Sequence, residues 1–305
     1  MPLDPEVQAL LEGVRANLPA IGSVSAQEMR AIHKALLQKM PPGVPVAQVE
    51  DDTLPSEHGG IPIRIYRPTP NPRAVIIYYH GGGWTIGSID GFDAAVRRLA
   101  NRTGCTIVSV DYRLAPEHKF PAAVDDAFQA LRAVDADIVK FAGKRVPIVL
   151  AGDSAGGNLS AVVSLLARDQ GGPKIAAQVL IYPSTDGDID APTLSRFDSP
   201  FLNRDEISWF FDQYIPERAQ RTDVRFAPLH AKDLSHLPPA FILTAEMDLL
   251  CEEAEDYARR LEAAGNRVKQ ERYLGTVHGF FSMDRGLKHS VKAMDDIAEF
   301  IETVS

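Results

Sequence analysis

Five short apolar runs constrain this chain more than any other feature: AVIIYY at 74–79, TIVSV at 106–110, PIVLA at 147–151, QVLIY at 178–182 and AFILTA at 240–245. Each is bounded by turn-forming residues and has almost no polar positions. Runs of this kind mark strands buried on both faces, as in parallel sheets. Helical patterns lie between them. Leu159, Val162, Val163 and Leu166 form one stripe, and Ala254, Tyr257, Ala258 and Leu261 form another. Three more segments read as strands, at 46–53, 61–67 and 268–273, which brings the expected number to eight. The first two join through His58-Gly59-Gly60 as an antiparallel hairpin. Strand and helix in alternation give an α/β fold: an eight-stranded, mostly parallel sheet flanked by helices.

Two parts of the chain fall outside this alternation. At the start, Asp4-Pro5 reads as a helix cap, with an apolar stripe at Val7, Leu10, Leu11, Val14 and Leu18. A second helix opens with a capping box at Ser25–Glu28. Between the strand ending near Tyr182 and the one starting near Ala240 the gap is too long for a simple crossover. There Asn203–Glu206 resembles another capping box, and Ile207, Phe210, Phe211 and Tyr214 share a face. These segments are expected to form a helical cap. The division is then 1–45 for N-terminal cap helices, 46–185 for the first part of the α/β core, 186–232 for a cap insertion and 233–305 for the rest of the core.

The net charge of −9 and the lack of any Lys/Arg-rich run argue against a nucleic-acid partner and against anionic membrane surfaces. Two cysteines, Cys105 and Cys251, make no disulfide framework and no zinc pattern. No run approaches the roughly 18 apolar residues of a membrane span. The first residues lack the pattern of a secretory signal, so the expectation is a cytoplasmic protein.

Gly152-Asp153-Ser154-Ala155-Gly156 is G-x-S-x-G, directly after one strand and directly before one helix. That context makes it a nucleophile elbow, a turn so sharp that only glycine fits at its two ends. A serine hydroxyl needs a base. In the α/β-hydrolase arrangement the acid and the histidine follow the serine in chain order. Six of the eight histidines come too early. His289 lies on the last amphipathic helix and reads as solvated. His278, just after the last strand, is the expected base. The acid should follow strand 240–245, where Asp248 is favoured over Glu246 because it lies further along the turn. His80-Gly81-Gly82-Gly83-Trp84 follows strand 74–79. The N–H groups of Gly81, Gly82 and Ala155 are expected to form an oxyanion hole. Such donors help only where charge develops on a carbonyl oxygen, so they point to acyl transfer. Phosphate binding is the rival for a glycine run, but neither a P-loop nor a dinucleotide fingerprint is present. His80 itself reads as structural. Trp84, Phe210 and Phe211, with Phe201, are candidates for an apolar substrate-binding pocket, although such rings also serve as plain packing.

Four segments together resemble the hormone-sensitive-lipase family of α/β-hydrolase esterases, the bacterial type IV esterases. They are HGGGW at 80–84, VDYRLAPEHKFPAAVDDA at 110–127, GDSAGGNL at 152–159 and HGF at 278–280. The resemblance spans about residues 60 to 281. It implies Ser154, Asp248 and His278 as the triad and Gly81, Gly82 and Ala155 as the oxyanion hole. It also implies a helical cap, short-to-medium acyl esters as substrates and a homodimer through about 268–303; the serine mechanism itself needs no metal or organic cofactor. One departure is Asp248-Leu249-Leu250 where the family often has Asp-Pro-Leu, which puts the stiffness of that loop in doubt. The expected activity is that of a serine carboxylesterase. Amidases and hydrolases of particular natural esters share the triad. Some relatives bind small ligands without cutting them; the plant gibberellin receptors have lost the histidine, which here stands as His278.

Overall fold

The computed structural model describes residues 3–283 and 287–304. The eight expected strands form one sheet: β1 (Gln48–Leu54), β2 (Ile61–Arg67), β3 (Val75–Tyr79), β4 (Thr106–Val110), β5 (Ile148–Asp153), β6 (Ala177–Ile181), β7 (Ala240–Met247) and β8 (Val268–Val277). Their spatial order is β1-β2-β4-β3-β5-β6-β7-β8. β1 pairs antiparallel with β2, with Leu54 opposite Ile61, and β2 pairs antiparallel with β4. All later pairs are parallel. The sequence reading differs mainly at strand ends. β7 and β8 run on to Met247 and Val277, so His278 follows its strand without an intervening loop.

The helices are α1 (Pro5–Asn17), α2 (Ala26–Leu37), α3 (Ile89–Thr103), α4 (Ala122–Ala136), α5 (Ile138–Ala142), α6 (Ala155–Asp169), α7 (Arg204–Tyr214), α8 (Cys251–Ala263), α9 (Phe280–Met283) and α10 (Lys288–Glu302). Both faces of the sheet are covered. Ile76, Tyr78, Val149 and Ala151 join a core with residues of α3 and α10. Their neighbours Ile77, Tyr79 and Leu150 point the other way, into a core with residues of α4 and α6. Side chains alternate across a strand, so apolar residues at consecutive positions are needed when both faces are buried.

The capping expectations have direct counterparts. Asp4 Oδ1 accepts the Glu6 N–H, and the boxes at Ser25–Glu28 and Asn203–Glu206 are both closed. Between β6 and β7 the chain makes three short 3₁₀ turns around a single α-helix, α7. The start of α1 is tied to the core, because Val7 and Leu11 are buried beside Tyr273 and the Asp4 N–H donates to Gly275 O at 3.0 Å. His289 is not solvated as expected. It is partly buried, with Nε2 3.3 Å from Asp4 Oδ2.

Because β3 and β5 to β8 are parallel, their C-terminal ends share one edge. The chain leaves β3 towards β4 and later returns to β5 on the other side of β3. The crevice at such a switch point is where an open α/β sheet holds its ligand. The loops after Tyr79, Asp153, Ile181, Met247 and Val277 meet there.

Candidate active site

Ser154 sits at the end of β5 with φ 55° and ψ −118°, a conformation costly for a side-chain-bearing residue. Two glycines make it attainable. A Cβ on Gly152 would lie 2.4 Å from the carbonyl of Gly156, and one on Gly156 would lie 1.8 Å from Tyr79 O. The turn therefore packs directly on the end of β3 and lifts the serine hydroxyl above the sheet edge.

His278 Nε2 lies 2.8 Å from Ser154 Oγ, and its Nδ1 lies 2.7 Å from Asp248 Oδ2. The tautomer follows from these partners. A carboxylate only accepts, so Nδ1 carries the proton and Nε2 accepts the serine O–H. The histidine and the aspartate are both buried, and the tilted ring of Tyr182 lies 4.7 Å from the imidazole. Asp248 is held in turn by the Leu250 N–H, which donates to Oδ1 at 3.0 Å. Glu246, the other candidate acid, is spent elsewhere: its Oε2 accepts the Gly275 N–H at 2.8 Å, where β7 and β8 lose regular register. The structure thus brings Ser154, His278 and Asp248 into one hydrogen-bonded line and leaves Glu246 outside it.

The glycine run departs from expectation at one residue. The Gly81 N–H donates to Asp153 Oδ1 at 2.9 Å, and Gly81 does not border the cavity over Ser154. Its donor is therefore not available to a substrate. Gly82 and Gly83 do border the cavity, as does Ala155, and their N–H groups meet no acceptor among the described residues. Gly82 and Gly83 adopt φ of 112° and 56°. The loop is anchored beneath: Thr85 and Ile86 N–H groups donate to Gly82 O, and the Tyr112 hydroxyl donates to His80 O at 2.7 Å. The His80 ring stacks on Phe92 and Tyr112, and its Nδ1 lies 2.7 Å from Gly81 O. Arg113 pairs with Asp126 at 2.8 Å to hold the neighbouring loop.

Asp153, between Gly152 and Ser154, reaches beyond the elbow. One oxygen accepts both Gly81 N–H and the Tyr78 hydroxyl, the latter at 2.8 Å, which links the elbow to the glycine loop. Burial pushes its carboxyl up to about 6 despite those bonds. Glu253, one turn into α8, is also buried. It accepts the N–H groups of Thr185 and Asp186, and burial pushes it up to about 8. Neither residue was singled out as a site candidate. A carboxylate beside the nucleophile was the available signal for Asp153.

A cavity of about 1340 Å³ opens over Ser154. Phe210 and Phe211 from α7 and Leu18, Ile21 and Met29 from the N-terminal segment wall it. Trp84 borders it from below, stacked on Tyr214 at 4.8 Å and 7°. Phe201 borders it as well. Among the described residues no cluster of three His, Cys, Asp or Glu side chains is placed to hold a metal ion, and no helix is long and apolar enough to cross a membrane.

Residues 76–282 match a family model described as the alpha/beta hydrolase fold. The chain belongs to this family. Among curated relatives of this alpha/beta hydrolase, carboxylesterase NlhH of Mycobacterium tuberculosis is 40% identical over 286 residues, 91% of this chain and 88% of that one. An arylesterase of Saccharolobus solfataricus is 38% identical over 289 residues, 93% and 94% of the two chains. Among solved structures, a hyperthermophilic esterase from the archaeon Pyrobaculum calidifontis superposes with a TM-score of 0.93 at 39% identity, over 99% of each chain. With these relatives, the alpha/beta hydrolase described here is a carboxylic ester hydrolase.

Proposed function

We propose that this hydrolase is a serine carboxylesterase working through an acyl-enzyme, and that it belongs to the hormone-sensitive-lipase branch of the fold. The observation that carries the reading is the unbroken line from Ser154 Oγ to His278 Nε2 at 2.8 Å and from Nδ1 to Asp248 at 2.7 Å. Ser154 Oγ attacks the ester carbonyl as its proton passes to Nε2. The carbonyl oxygen, now an oxyanion, takes N–H bonds from Gly82, Gly83 and Ala155. The intermediate collapses, the bond to the alkoxy oxygen breaks, and His278 gives its proton to the departing alcohol. Water then loses a proton to His278 and attacks the acyl carbon. Collapse releases the carboxylic acid and returns the proton to Ser154. Asp248 keeps the imidazole in the required tautomer and stabilises the imidazolium.

The cavity supports short-to-medium acyl esters, with Trp84, Phe210 and Phe211 as apolar contacts and the segments around α1–α2 and α7 as the cap. An intact serine–histidine bond argues against a chain that only binds its ligand. β8 and α10, at the outer end of the sheet, are the proposed face for a homodimer, which sedimentation of wild type beside a charged β8 variant such as Leu274→Glu tests. The test of the chemistry is turnover of chromogenic phenyl esters of increasing acyl length, with Ser154→Ala beside wild type. A loss of roughly 10⁶ in kcat is expected of the variant. Equal rates for the two proteins would refute the mechanism.

A further inference from the structure

Two adjacent rings on α7 connect the N-terminal segment to the glycine loop. Gly22, in the turn between α1 and α2, has φ +83°, and a Cβ there would lie 3.1 Å from Trp209 Cδ1. The indole therefore lies directly against that turn. It meets the Phe210 ring at 5.2 Å between centroids and 73°, an edge contact. Phe210 in turn covers Gly83, where a Cβ would fall 2.2 Å from Phe210 Cδ1. From Gly22 through Trp209 and Phe210 to Gly83 the contacts are continuous.

Below, the loop is held by its own hydrogen bonds to Gly82 O and by the bond from Thr85 Oγ1 to Gly83 O. Above Gly83 the support is the Phe210 ring. The Gly83 N–H shares a peptide plane with Gly82 O, which accepts the Thr85 and Ile86 N–H groups, and the Gly82 N–H shares one with Gly81 O, 2.7 Å from His80 Nδ1. Those bonds set the tilt of the two planes, and the Phe210 ring on Gly83 sets how far they stand from Ser154. Packed interiors transmit displacement because they have little free volume.

We propose that Trp209 is a positioning residue. Wedged between Gly22 and Phe210, it fixes how Phe210 bears on Gly83, and through that the position of the Gly82 and Gly83 N–H groups over Ser154. The inference rests on the reading that those groups receive the oxyanion. It makes the seating of the α1–α2 turn a determinant of chemical rate, even for an ester too small to reach the cap.

The test uses the full chain and phenyl acetate, with Trp209→Ala, Trp209→Phe, Phe210→Leu and the double variant Trp209→Ala/Phe210→Leu. A displaced donor costs up to about 100-fold, so Trp209→Ala is expected to lower kcat by about 10- to 100-fold. KM for this small ester is expected to stay within about twofold. Affinity for methylboronic acid, which adds to the serine and places an oxygen at the same donors, falls in parallel. Trp209→Phe recovers most of the rate. In the Phe210→Leu background Trp209→Ala costs much less than it does alone, since the path is already broken.

Unchanged kcat and boronate affinity in Trp209→Ala, with KM raised only for long acyl esters, would mean that the ring merely walls the cavity, and the inference falls. Effects that multiply fully in the double variant also overturn it. If Trp209→Ala does not fold, Gly22→Ala, which pushes the same ring, is read instead, and a full rate there overturns the inference. A wild type inert on phenyl acetate, or a Ser154→Ala variant as fast as wild type, overturns the hydrolytic mechanism and this inference with it. A wild type that turns over phenyl acetate beside an unimpaired Trp209→Ala overturns this inference alone.

Discussion

Replacing Asp153 with alanine removes the acceptor shared by the Tyr78 hydroxyl and the Gly81 N–H, at 2.8 and 2.9 Å. Both donors are buried. A buried donor left without a partner costs about 1–3 kcal/mol, so the pair costs about 2–6 kcal/mol. Asparagine keeps the accepting oxygen and isolates this effect from that of charge. The charge has its own signature. Burial moves the carboxyl from the usual 3.8 up to about 6 in the folded chain. An acid whose folded pKa is raised contributes its full stability below the unfolded value and loses it as pH rises through the folded one. Across that whole window the wild type loses about 3 kcal/mol, and about 1–2 kcal/mol of it between pH 5 and pH 8. Neither variant titrates there, so both gain on wild type by that amount over the same range. Urea unfolding followed by circular dichroism at pH 5 and pH 8 reads both quantities. The alanine variant should lie about 2–6 kcal/mol below the asparagine variant at either pH. Equal stability of the two would refute the argument from orphaned donors. A gap between wild type and asparagine that stays constant from pH 5 to pH 8 would refute the raised carboxyl. In activity, alanine should lose about tenfold in kcat because the glycine loop is no longer tied to the elbow, while asparagine should lose less.

Asp248→Asn should lower kcat by about 10⁴ with an unchanged dichroism spectrum, because the amide cannot hold the imidazole in the tautomer that accepts the Ser154 proton. Glu253→Gln should gain stability on wild type as pH rises. The raised carboxyl, at about 8, costs wild type about 3 kcal/mol more between pH 6 and pH 9 than it costs a glutamine, as urea midpoints at the two pH values will read. Gly156→Ala places a Cβ 1.8 Å from Tyr79 O, so the elbow must leave the end of β3. A destabilisation above about 4 kcal/mol and loss of esterase turnover are expected, measured by thermal unfolding and phenyl acetate hydrolysis.

The strands and the elbow were legible because each has a local cause. AVIIYY and PIVLA can be buried on both faces only as inner strands, and the whole eight-strand list holds to within a few residues. Gly152 and Gly156 signal a turn that no other residue fits. Chain order left two histidines as the expected base, His278 and His289, and the place of His278 just after the last strand singled it out. The choice between Glu246 and Asp248 was harder, since both stand at one strand end. In the structure Asp248 lies 2.7 Å from His278 Nδ1, while Glu246 accepts the Gly275 N–H from a strand more than twenty residues further on.

Much of this protein was determined by the order and pattern of its residues: the layered α/β fold, the strand ends that gather at one edge, the serine elbow and the histidine that meets it. These rest on periodicity, steric limits at a turn and sequence order, all of which act along the chain. Which glycine N–H groups are left without an acceptor rests instead on where a neighbouring carboxylate lies. In HGGGW three glycines look alike, and only the approach of Asp153 from β5 takes Gly81 and leaves Gly82 and Gly83. The edge-packed pair of rings that joins Gly22 to Gly83 is of the same kind. It spans three distant segments, and nothing in any one of them announces the others, because a contact between segments becomes a physical fact only once the sheet has brought them together.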